Sequence, residues 1–98
     1  MIEYSDVEVC IRNRRYMEAA NLMLKKSLRD KIHNLSTRER DVITKRVAKT
    51  LKQNHQRLLV LRESGYKPRE VAQEVHEQTR EDLGLDQFEP DYFLGGGP

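Results

Sequence analysis

The chain has 98 residues, 37% of them hydrophobic and 35% charged, with a formal net charge of +2. That length allows one domain at most, and the scarce apolar surface must be buried efficiently or completed by a partner. One cysteine, Cys10, excludes an intrachain disulfide and a cysteine metal cluster, and no apolar run approaches the length of a membrane span.

The first predicted helix spans about 5–33. Ser5-Asp6-Val7-Glu8 has capping-box spacing, and Val7, Cys10, Ile11, Met17, Ala20, Leu24, Leu28 and Ile32 recur mostly at three- and four-residue steps. Arg12-Asn13-Arg14-Arg15 interrupts this face, so a bend or restart near Asn13 is one option, and Asn34 is a stop signal. A second helix, 36–64, opens on another capping box, Ser36-Thr37-Arg38-Glu39. Its apolar positions are Ile43, Val47, Leu51, Leu58 and Leu61, with Val42, Ala48, Leu59 and Val60 widening the stripe. Gly65 can close it in the left-handed conformation. Pro68 suits the first position of a third helix, 68–83, where its missing N–H costs nothing, and Gly84 can end that helix. Residues 85–98 form an acidic, aromatic and then Gly-rich tail. No alternating strand signal appears, so the expected fold is all-α: two long helices in an antiparallel hairpin, a shorter third helix and the tail, with 1–84 as the helical domain.

The charge is divided. Residues 36–67 carry nine Lys and Arg against three acids, a net of +6, whereas 68–98 carry two against eight, a net of −6. Such asymmetry points to macromolecular partners. Catalytic chemistry is not indicated. His33, His55 and His76 lack metal-ligand spacing, Cys10 has no local nucleophile pattern, and the terminal glycines form no phosphate loop. Glu70, Glu74, Glu77 and Glu81 follow the helical repeat as a solvated or partner-facing stripe. The expectation is a non-enzymatic protein without metal or cofactor. The N-terminus lacks the basic and apolar regions of a secretory signal, which adds the expectation of a soluble, intracellular protein.

Three segments are candidate docking elements. Lys45, Arg46, Lys49 and Lys52 share a face of the second helix, suited to an acidic partner surface or to phosphates; the simpler alternative is an ordinary solvated face. Gly65-Tyr66-Lys67-Pro68 is an exposed turn whose prolyl bond is a ligand for a cyclophilin-type isomerase, unless the proline merely starts a helix. In the tail, Phe88, Tyr92 and Phe93 alternate with Asp86, Glu89 and Asp91, so the rings either fold back or anchor in a partner. Around the same turn, Leu58 to Ala72 resembles the entry of a helix-turn-helix, which makes a DNA-binding regulator built on 58–83 the alternative function. The segment Gln73-Glu74-Val75-His76-Glu77-Gln78-Thr79 continues without a second turn and is acidic, so direct DNA contact is not the expectation. A homodimer built on the long helices is a third option.

Length, charge-rich helical texture, absence of a catalytic pattern and the Gly65-Tyr66-Lys67-Pro68 turn together resemble the small bacteriophage proteins of the P22-type anti-RecBCD class. The resemblance implies a protein of the host bacterial cytoplasm that binds the RecBCD helicase–nuclease through RecC, modifies its nuclease activity and favours phage recombination. It also implies a host peptidyl-prolyl cis-trans isomerase as a partner, and it maps only onto the turn.

Overall fold

The computed structural model describes residues 6–61 and 67–85, except for the side chains of Asp30 and Leu61. They form α1 (Asp6–Arg12), α2 (Tyr16–Leu28), a 3-10 helix (Arg29–Asn34), α3 (Thr37–Leu61) and α4 (Pro68–Leu83), with no strand among them.

The all-α expectation holds, but the first long helix does not: residues 6–34 are three pieces. The first break is a Schellman turn. Arg15 N–H donates to the Cys10 carbonyl at 2.8 Å and Arg14 N–H to the Ile11 carbonyl at 3.0 Å, with Arg14 in the left-handed region at φ 63°. This resets the helical phase. Met17, placed by the sequence on the buried stripe, is 43% exposed, while Ala19, Ala20, Met23 and Leu24 turn inward. The second break is at Arg29, whose φ of 50° and ψ of −121° end α2 and lead into the 3-10 helix.

The later elements follow their sequence signals closely. Ser36 N–H donates to the Glu39 carboxylate at 3.0 Å and Glu39 N–H donates to the Ser36 hydroxyl oxygen at 3.1 Å, and the Ser36 backbone N–H first, then its side chain, hold the Glu39 carboxyl below its ordinary pKa. Pro68 occupies the first position of α4. The Lys67 N–H before it donates to the Glu70 carboxylate at 3.2 Å. Gly84 terminates α4 in the left-handed conformation at φ 60°, as expected, and Leu85 immediately after it is fully buried.

The four α-helices close a ring in which α1 packs on α2 and α4, and α3 packs on the same two. Helices α2 and α3 run antiparallel, since Tyr16 reaches His55 while Asn21 reaches Thr44. The core lies inside the ring and includes Val7 and Ile11 of α1, Leu24 and Leu28 of α2, Ile43, Val47 and Leu51 of α3, and Val71 and Val75 of α4. Burial of each such side chain contributes about 1.5–3 kcal/mol, which offsets the ordering of the short connections. Helix α3, with 25 residues, is about 37 Å long and sets most of the molecule's 43 Å extent.

Candidate functional site

Helix α3 sorts its side chains by angle. At about 100° per residue, Ile43, Thr44, Val47, Ala48, Leu51, Asn54 and His55 fall on one side, and all seven are buried. Lys45, Arg46, Lys49 and Lys52 occupy an arc of about 120° on the opposite side, and all four are exposed. The structure therefore brings these four cations together on an outward face. Lys45 is tied to Asp41 at 2.9 Å, an exposed pair one helical turn apart. Val42 and Val60 also lie on this face, 51% and 69% exposed, although the sequence pattern placed them on the apolar stripe. At the same 100° per residue both fall inside the cationic arc, on the side of α3 opposite Ile43, Val47 and Leu51, so the stripe does not widen to include them.

The acidic stripe of α4 is likewise outward: Glu70, Glu74, Glu77 and Glu81 are exposed, while Val71, Ala72, Val75 and Thr79 are buried. The helix runs unbroken from Pro68 to Leu83, without the second turn that a helix-turn-helix reader needs.

Of the prolyl turn, Lys67 and Pro68 are described, and Gly65 and Tyr66 lie outside the described residues, as do Phe88, Tyr92 and Phe93 of the tail. Lys67 is exposed, but Pro68 is half-buried rather than open on all sides. It lines a small cleft of about 220 Å³ with Arg12, Arg14, His55, Leu59 and Val71. No cis peptide bond occurs among the described residues, so Lys67–Pro68 is trans.

Buried polar side chains fix these faces relative to one another. Tyr16 and His55 share a hydrogen bond of 2.6 Å from hydroxyl to Nδ1, with the rings edge to face at 5.7 Å. Desolvation and then the nearby Arg14 charge push the His55 pKa down, and desolvation pushes the Tyr16 hydroxyl up. Asn54 donates through Nδ2 to Thr79 at 3.0 Å and to Asp82 at 3.2 Å, joining α3 to α4. His76 of α4 meets Glu8 of α1 at 3.0 Å, both largely buried. Cys10 is buried and its thiol donates to the Glu18 carboxylate at 3.7 Å. Burial, then the Glu18 charge, raises its pKa, which keeps the sulfur protonated and inert. Among the described residues no buried side-chain polar atom lacks a partner.

A larger cleft, about 690 Å³, was not visible in the sequence. Lys26, Arg29 and Lys31 approach it from the end of α2 and the 3-10 helix, and His76 and Arg80 from α4. The only sequence signal was the run of cations between Lys25 and Lys31. Nothing local indicated that α4 would pack opposite them. Among the described residues no three His, Cys, Asp or Glu side chains converge as metal ligands, and no helix is long and apolar enough to cross a membrane.

Comparison with protein-family models, with curated proteins and with solved structures finds none that matches this chain.

Proposed function

We propose that this protein is a non-enzymatic docking factor that binds the host RecBCD helicase–nuclease through RecC, restrains or redirects its nuclease and leaves phage DNA ends to phage recombination. The observation that carries a docking role is the outward face of α3, where Lys45, Arg46, Lys49 and Lys52 lie between two exposed valines on the same side of the helix, Val42 and Val60. Cations on a rigid rod steer association with an acidic surface, while the apolar side chains at either end of the patch supply contacts that gain strength once water is excluded. The identity of the partner comes from the resemblance to the anti-RecBCD class. In the same proposal, host peptidyl-prolyl isomerase engages the Lys67–Pro68 bond, which requires the first turn of α4 to open around the half-buried ring. The alternative, a DNA-binding regulator, draws less support. The exposed face of α4 carries Glu70, Glu74, Glu77 and Glu81, which would repel phosphates.

The test is titration of the purified protein into RecBCD, read as double-strand exonuclease activity and as co-elution. Stoichiometric loss of exonuclease activity with a stable complex is expected. A Lys49→Glu/Lys52→Glu variant should bind about tenfold or more weakly while keeping its helix content. Unchanged DNA degradation and separate elution would refute the proposal.

A further inference from the structure

Two faces of this chain complement each other in charge. The arc of about 120° on α3 that holds Lys45, Arg46, Lys49 and Lys52 also takes in Arg38, two turns before Lys45, and no Asp or Glu of that helix falls inside it. On α4 an arc of about 60° holds Glu70, Glu74, Glu77 and Glu81 and no cation of that helix. All of these side chains are exposed. The stripes match in length, about 21 Å from Arg38 to Lys52 and about 16 Å from Glu70 to Glu81.

The two stripes do not meet within one molecule. Lys45 is held by Asp41 at 2.9 Å on its own helix, and Glu70 accepts the Lys67 N–H at 3.2 Å. Among the described residues, Arg38, Lys49, Lys52, Glu74, Glu77 and Glu81 enter no ion pair. Helices α3 and α4 are packed neighbours, but their contact runs through Asn54, Thr79 and Asp82, and both charged sides turn away from it. Each stripe is carried by a preformed helix, so bringing the two together orders no backbone. Opposite charges on surfaces that cannot reach each other in cis attract between copies.

We propose that the cationic face of α3 docks on the glutamate face of α4 in a second copy of this chain. The contact is heterologous: each copy added leaves one basic and one acidic face open, so assembly grows with concentration instead of stopping at a pair. Exposed ion pairs are individually weak, and two helix faces cover well under the roughly 1,200 Å² of a stable interface, so the association is transient and salt-sensitive. This inference does not depend on the RecBCD reading. It draws on the same α3 face, so an acidic partner bound there would cap the assembly.

Sedimentation velocity of the full chain, from about 10 μM to about 1 mM, tests this. At low salt the sedimentation coefficient should rise with concentration. At about 1 M salt, where the Debye length is about 3 Å, it should return to the monomer value. A coefficient independent of concentration at low salt would overturn the proposal. The Arg38→Gln/Lys49→Gln/Lys52→Gln and Glu74→Gln/Glu77→Gln/Glu81→Gln variants each lose one face, so each alone should stay monomeric, with helix content unchanged by circular dichroism. Mixed, they should form a one-to-one pair and nothing larger, because one basic and one acidic face remain between them. Assembly of either variant alone, or a mixture that stays monomeric, would also overturn it. Lys25→Gln/Lys26→Gln/Lys31→Gln removes the same charge from other exposed positions and should assemble like the parent. Loss of assembly there would show that overall charge, and not the α3 face, governs association.

Discussion

Arg14 does what glycine usually does at a helix end. Its φ of 63° is required by the Schellman turn that separates α1 from α2, and an L side chain there costs about 1–2 kcal/mol. Arg14→Gly removes that cost but adds unfolded-state entropy of roughly 0.5–1 kcal/mol. The variant should therefore match or slightly exceed the parent in urea midpoint, whereas Arg14→Val should lose about 1–2 kcal/mol. A destabilised glycine variant would show that the arginine side chain matters more than its backbone. Arg14 also acts on His55, whose pKa is lowered first by desolvation and second by that guanidinium. A base with a depressed folded pKa binds fewer protons in the native state than in the unfolded one. Stability is thus full above the ordinary histidine value of 6.5 and falls as pH drops from there toward the depressed value. Thermal unfolding of the His55→Asn variant should show a shallower loss on acidification through this window, and an unaltered slope would assign the pH dependence elsewhere.

At the scale of elements, Asn54 is the polar link between α3 and α4. Its amide serves Thr79, which is fully buried, and Asp82 at the last turn of α4. Replacing Asn54 with Leu leaves the Thr79 hydroxyl without that partner, and we expect a loss of about 1–3 kcal/mol in urea unfolding. Hydrogen exchange in α4 should rise more than in α2, because the bond holds α4 to the ring; a uniform change would contradict this. Helix boundaries were legible where a side chain or a special backbone announces them: Ser36 with Glu39, Pro68 and Gly84 all act where their chemistry predicts. The break at Arg14 falls where Arg12-Asn13-Arg14-Arg15 interrupts the apolar face and a restart is one option; the boundary at Arg29 was obscured because arginine ordinarily favours a helix interior. The break near Asn13 explains Met17, whose periodicity matched the continuous-helix option.

For the molecule as a whole, the charge boundary becomes two outward faces, basic on α3 and acidic on α4, that pack side by side in the ring. The four α3 cations were found from spacing alone, since residues one helical turn apart must share a side of any helix. Exposure of Val42 and Val60 was not, because residue type grouped them with the stripe, although their angle around the helix places them among the cations. The cationic cleft is further from the sequence still. Lys26, Arg29 and Lys31 are separated from Arg80 by some fifty residues, and only closure of the ring sets them across one opening. By itself the sequence determined the helical class, the caps and the division of charge, because these depend on residues within one or two turns of each other. Tertiary structure alone decided that the chain breaks again at Arg29, how the four helices close a ring and which distant cations face each other, because each depends on how the helices are juxtaposed.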